Sequence, residues 1–164
     1  MKTKFCIITV IALFFSIASS AQRYRYAKQE WGVGVRFGEP VGLSIKQYAR
    51  LSCLELNVGI SSWISGVFGI GGQFNYIMQR NLNFDELKEL DWYWGAGATV
   101  GRFEGQYVLG PDALIGVEYN FKNAKKYPLA LFVDFGIVLN LLELEFFPDF
   151  KLIGGMGIRY NFYP

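Results

Sequence analysis

The chain has 164 residues, with 16 Lys and Arg against 14 Asp and Glu, no histidine and two cysteines; 18% of the residues are aromatic and 19 are glycine. A net charge of +2 leaves no electrostatic footprint for nucleic acid, and without histidine the commonest general base and a usual metal ligand are missing. No uninterrupted apolar stretch of about 18 residues follows Ala21, so any membrane crossing beyond that point has to be made by strands.

The first predicted element is a leader. Lys2 and Lys4 precede an apolar run from Phe5 to Ala18, and Ser19-Ser20-Ala21 puts small side chains where a signal peptidase cuts. The run is shorter than the roughly 20 residues that cross a bilayer as a helix. A secretory signal peptide over 1–21, removed after Ala21, is therefore expected. Cys6 leaves with it and is not laid out as a lipoprotein cleavage site, so Cys53 has no intrachain disulfide partner. Removal leaves 143 residues, one domain over 22–164, and the loss of Lys2 and Lys4 balances 14 basic against 14 acidic side chains.

From Trp31 onward apolar residues recur at every second position, the period of strands. Eight runs follow one another. Trp31, Val33, Val35 and Phe37 oppose Gly32, Gly34, Arg36 and Gly38; Val41, Leu43 and Ile45 oppose Gly42, Ser44 and Lys46. Leu54, Leu56, Val58 and Ile60 oppose Glu55, Asn57 and Gly59; Phe68, Ile70, Phe74 and Tyr76 oppose Gly69, Gly71, Gln73 and Asn75. Trp92, Trp94, Ala96, Ala98 and Val100 oppose Tyr93, Gly95, Gly97, Thr99 and Gly101; Ala113, Ile115, Val117, Tyr119 and Phe121 oppose Leu114, Gly116, Glu118 and Asn120. Leu129, Leu131, Val133, Phe135 and Ile137 oppose Ala130, Phe132, Asp134 and Gly136; Met156, Ile158, Tyr160 and Phe162 oppose Gly155, Gly157, Arg159 and Asn161. Runs of about 8 to 11 residues suit an all-β, eight-stranded, antiparallel, up-and-down transmembrane barrel.

Turn chemistry marks the connections at Gly38-Glu39-Pro40, Arg50-Leu51-Ser52, Gln79 to Leu90, Gly101 to Pro111, Lys122 to Pro128 and Pro148-Asp149, with one helical turn possible over Asp85 to Leu90. In the segment Val138 to Phe150 the pattern shifts: Glu143 and Glu145 take the lipid parity, while Leu142, Leu144 and Phe146 take the other. Strands seven and eight are therefore expected to project beyond the membrane, turning at Pro148-Asp149. Leu142, Glu143, Leu144, Glu145, Phe146 and Phe147 become a candidate interaction loop.

Alternation does not say which face is inside, because a soluble lipocalin-like carrier has the same period with its faces exchanged. The second face decides it. It is dominated by glycine with about one charge per strand, whereas a water-facing surface is dense in both signs of charge. Glycine fits a narrow eight-stranded lumen. Arg36, Lys46 and Arg159 then share that lumen with Glu55, Glu118 and Asp134, and an internal charge network with a filled interior is expected. Trp31, Trp92, Trp94, Tyr119, Phe121 and Phe162 are predicted at the periplasmic strand ends, where amphipathic rings sit at a headgroup boundary.

Catalysis has few candidates. Glu55, Glu118 and Asp134 are better read as structural pairs than as a carboxylate site, and Cys53 without histidine as an inert small residue. Gly95, Gly97 and Gly101 lie in a strand, not in a phosphate loop.

Trp92-Tyr93-Trp94-Gly95-Ala96-Gly97, Gly116-Val117-Glu118-Tyr119, Pro128-Leu129-Ala130-Leu131 with Asp134, Gly38-Glu39-Pro40-Val41-Gly42-Leu43 with Lys46, and the closing Gly157-Ile158-Arg159-Tyr160-Asn161-Phe162 resemble a family of small outer-membrane barrels from Bacteroidota. These are similar in architecture to OmpX-type eight-stranded barrels. The resemblance implies a place in the outer membrane of a Gram-negative envelope, contact with its lipid, and assembly by the barrel-insertion machinery; the closing strand resembles the signal that machinery reads, with Tyr163 and Pro164 following the terminal aromatic. Barrel enzymes of the lipid A acyltransferase, deacylase and omptin kinds lean on histidine, so no enzyme is expected. No cofactor and no metal site are expected either. The resulting expectation is a monomeric structural or surface-interaction protein, its partner a surface protein or a small apolar ligand, with a small-molecule binding or transport barrel as the alternative.

Overall fold

Alternating side chains make each run a ribbon with two unlike faces, and eight such ribbons are enough to close on themselves. In a computed structural model they do: residues 30–49, 52–61, 69–82, 89–103, 106–121, 128–142 and 149–162 are described, and the expected leader lies outside them. The strands are β1 Glu30–Gly38, β2 Val41–Tyr48, β3 Ser52–Ser61, β4 Gly69–Asn81, β5 Leu90–Phe103, β6 Gln106–Asn120, β7 Leu129–Asn140 and β8 Asp149–Phe162. They form a closed antiparallel barrel in sequence order, sealed where β1 pairs with β8 from Trp31↔Phe162 to Gly38↔Gly155.

The barrel carries apolar side chains outward and charged ones inward. Val35, Phe74, Ile115, Val133, Phe135 and Met156 are among many large apolar side chains exposed on its outer face. Arg36, Lys46, Glu55, Asn75, Glu118 and Arg159 are buried within it. The inward parity is that of the expected glycine-rich face in all eight strands.

Two glycines show what closure demands. Gly38, at the β1–β2 turn, has φ +146°, and a Cβ there would stand 2.1 Å from the Gly154 carbonyl oxygen. A Cβ on Gly34 would stand 1.9 Å from the Ile158 oxygen across the β1–β8 seam. A side chain at either position pushes the backbone of the neighbouring strand away.

Two expected connections are instead strand. β5 runs to Phe103 and β6 starts at Gln106, so most of Gly101 to Pro111 is paired, including Gly101↔Val108 and Ala98↔Pro111. Glycine and proline read as turn markers there because each punctuates chains locally. Pro111 has no N–H to donate, and the β6–β7 ladder begins just past it at Asp112↔Val138. Asn140 bridges the interruption, its amide donating to the Tyr107 carbonyl and accepting from the Leu109 N–H. Likewise β4 continues through Gln79 to Asn81, which pairs with Asp91. The helical turn considered over Asp85 to Leu90 falls largely on residues 83–88, outside the described residues, and Leu90 opens β5.

Aromatic rings gather at the end that carries the termini. Trp31 pairs with Phe162 and Leu90 with Tyr119, and the Tyr119–Phe121 and Tyr160–Phe162 rings meet edge to face at 5.5 and 5.0 Å. Trp92 lies in the same zone, while Trp94 sits one outward position farther from the end, half-buried beside Met78 and Ile115.

Candidate functional site: the charged lumen

Inward side chains from eight strands converge on one axis, so residues distant in sequence meet there. Glu118 of β6 is the hub. It accepts from Lys46 Nζ at 2.9 Å, Arg159 Nη1 at 2.9 Å, the Tyr48 hydroxyl at 3.0 Å and Gln79 Nε2 at 3.2 Å. Arg159 also reaches Glu55 at 2.8 Å, donates to Ser44 Oγ at 2.9 and 3.0 Å, and lies 3.6 Å from the Phe132 ring centroid. A second pair, Arg36 with Asp134, is held by two parallel hydrogen bonds, the geometry that suits a guanidinium to a carboxylate.

Tyr93 joins the two groups. Its hydroxyl donates to Asp134 at 3.5 Å and its ring lies 4.5 Å below the Lys46 ammonium, a cation–π contact. All six expected lumen charges are thus inside, and each has an opposite charge within ion-pairing distance. They do not pair with their strand neighbours. Lys46 stands directly opposite Glu55 in the β2–β3 register, yet it crosses the lumen to Glu118 and leaves Glu55 to Arg159.

Each of Glu55, Glu118 and Asp134 faces a cation, an arrangement that neutralises buried carboxylates rather than setting two of them to share a proton. Cys53 is buried, its thiol donating to Gln79 Oε1 at 3.6 Å. Gly95, Gly97 and Gly101 lie within β5, as the strand reading has it.

Two buried acids escaped the sequence reading. Asp91 begins the inward face of β5 and accepts from Gln79 Nε2 at 3.0 Å, Asn81 Nδ2 at 2.8 Å and Asn120 Nδ2 at 3.2 Å. Asp112 follows Pro111 and accepts from Thr99 Oγ1. Both had the correct parity as a signal, but both sat on the borders of segments read as turns.

Of the candidate interaction loop only Leu142 is described, 55% exposed beside Leu141; Glu143, Leu144, Glu145, Phe146 and Phe147 lie outside the described residues. Of the turn expected at Pro148-Asp149, Pro148 lies outside the described residues and Asp149 is already strand, paired with Asn140. Beyond the end of β1, the segment Asp149 to Ile153 pairs with β7 and has no register partner on β1. Phe150 and Leu152 point outward there and are exposed.

No protein-family model matches the chain, and a search of curated proteins finds no match.

Proposed function

We propose that the protein is an exported outer-membrane β-barrel with a filled lumen that serves a structural or surface-interaction role. The observation that carries this reading is the inversion of faces: the outer wall is apolar from Trp31 and Val33 round to Met156 and Phe162, while paired charges lie inside. Water does not favour a continuous apolar wall of that extent, and hydrocarbon does. The ring of Trp31, Trp92, Tyr119, Tyr160 and Phe162 suits one headgroup boundary. Closure without a free seam fits a monomer in lipid delivered by the barrel-insertion machinery. The Glu118 and Asp134 clusters place buried, ion-paired side chains within the lumen, which favours this role over bulk transport.

The partner surface best suited to the role is the outer part of β8, where Asp149 to Ile153 has one backbone edge without a register partner among the described residues, flanked by exposed Phe150 and Leu152. An extended segment of a surface protein can add to such an edge as a further strand.

Fractionated cells test the location: the protein is expected in the outer envelope, and its unboiled form is expected to migrate differently from the boiled form. Recovery in the soluble fraction with no heat-modifiable migration overturns the reading. A large, steady conductance in planar bilayers would move the function to transport.

A single substitution separates lipid from water on the outer wall. Val133, 51% exposed on β7, faces outward between Val117 and Met156. Val133→Arg is expected to lower stability in vesicles by roughly 2–4 kcal/mol, the cost of a cation on the lipid face near mid-bilayer. On a water-facing wall the same change is nearly neutral. Urea titration of the refolded barrel decides between them.

A further inference from the structure

Past the ion network the lumen changes character. Read away from the termini, the inward residues of β6 are Asn120, Glu118, Gly116, Leu114, Asp112, Gly110 and Val108, so Asp112 lies well beyond the hub. It is 5% exposed; Oδ2 accepts from Thr99, and Oδ1 has no hydrogen-bond partner among the described residues. Gly97 of β5 pairs with Asp112 on one side and with Asn75 of β4 on the other. Because Gly97 has no side chain, Asn75 leans over it, with Oδ1 2.5 Å from where a Cβ would stand. Asn75 is wholly buried, and neither atom of its amide has a partner among the described residues. Asn57 and Gln73, joined at 3.3 Å, continue the cluster, and Asn57 Oδ1 is also without a partner among the described residues.

Buried polar atoms are nearly always satisfied, so a cluster of unsatisfied ones on adjacent strands calls for an occupant. Charge says which kind. The buried lumen carboxylates are Glu55, Asp91, Asp112, Glu118 and Asp134, against Arg36, Lys46 and Arg159, while Lys151 at the mouth nearer Asp112 is ion-paired with Asp149 at 3.3 Å. Glu55, Glu118 and Asp134 are matched by those cations and Asp91 is met by three amides, whereas Asp112 is met by the Thr99 hydroxyl and the Gln73 side chain and has no ion pair among the described residues. The approach has the same sign. The strand connections at the end opposite the termini, residues 39–40, 62–68, 104–105 and 143–148, contain Glu39, Glu104, Glu143 and Glu145 and no Lys or Arg. The connections at the other end contain Arg50, Lys88, Lys122, Lys125 and Lys126 against Asp85, Glu86 and Glu89, a small positive excess. Such an asymmetry concentrates cations at the end nearer Asp112.

We propose that Asp112 and Asn75, on either side of Gly97, form a site for a small monovalent cation, an alkali ion or ammonium, entering from the end opposite the termini. A carboxylate and amide oxygens are the donors such a hard ion takes, and one carboxylate matches one charge. A divalent ion would want more carboxylates, and no cluster of three or more metal-ligating side chains of the His, Cys, Asp or Glu type exists among the described residues. Waters accompanying the ion supply an acceptor for the amide nitrogen of Asn75. The site lies inside the wall and is independent of what the outer face meets.

The test uses purified barrel in detergent, with thermal unfolding followed by tryptophan fluorescence in NaCl, KCl or NH4Cl and in N-methylglucamine chloride at equal concentration. The midpoint is expected to be higher by roughly 5 °C in at least one small cation. Asp112→Asn and Asn75→Leu should abolish that difference, and Val100→Ala on the outer wall should keep it. Equal midpoints in all four salts overturn the site, as does a difference that survives Asp112→Asn. Should both variants fail to fold, sodium-23, potassium-39 and ammonium nitrogen-14 relaxation on the unaltered barrel decides: broadening of any of these lines that another of the small cations reverses supports the site, and three unbroadened lines overturn it.

Discussion

Glu118→Leu is expected to destabilise the folded barrel by roughly 3–5 kcal/mol, the usual cost of leaving a buried charge without its counter-ion. The side chain is fully buried and bonds Lys46, Arg159, Tyr48 and Gln79 together. Arg159 keeps Glu55 and Ser44 when Glu118 is lost. Among the described residues Lys46 keeps the faces of Tyr48 and Tyr93, at 5.0 and 4.5 Å. The stranded ammonium therefore carries most of the loss, and Lys46→Met in the same chain is expected to restore a large part of it. A double-mutant cycle over these two positions, read from urea midpoints of the refolded barrel, measures the coupling. An unchanged midpoint for Glu118→Leu would show that the network is incidental. A matching experiment at Asp134→Leu strands Arg36, whose guanidinium makes its two hydrogen bonds to that carboxylate.

Gly34→Ala is the second large effect, although it adds one methyl group. The new carbon would stand 1.9 Å from the Ile158 carbonyl oxygen and 2.7 Å from the Arg159 Cα, both backbone atoms of the strand that closes the barrel. Flexible side chains can yield to such a clash; a paired backbone cannot without opening the seam. A loss of roughly 3 kcal/mol or more is expected, at the upper end for overpacking, together with a lower yield of the heat-modifiable form. Gly72→Ala is the control, because a Cβ there meets nothing nearer than the Asn57 oxygen at 3.8 Å. Similar refolding yields and midpoints for the two variants would mean that the β1–β8 seam tolerates widening.

Inward and outward parity was legible before any coordinates because it is a local property: neighbouring residues of a strand point to opposite faces, so a period of two in hydropathy survives without knowledge of partners. Arg36, Lys46, Glu55, Glu118, Asp134 and Arg159 were found in that way. Asp91 and Asp112 were lost beside segments whose glycine and proline resemble turns, since Pro111 interrupts one ladder while remaining paired through Ala98 on its other side.

Which charges meet was beyond reach of the sequence. A strand's register depends on its neighbours, and closing eight tilted strands displaces facing residues along the axis, so the residue opposite in the ladder need not be the residue across the lumen. Lys46 bonds Glu118 72 positions away while facing Glu55 in its own sheet, and Arg36 finds Asp134 98 positions away. The amino-acid pattern by itself determined eight strands, their two faces and a lumen that carries charge. Only closure decided that Glu118 is the hub, that Gly34 admits no side chain, and that Asp112 and Asn75 stand together on either side of a glycine, because each of those facts depends on the distance between strands far apart along the chain.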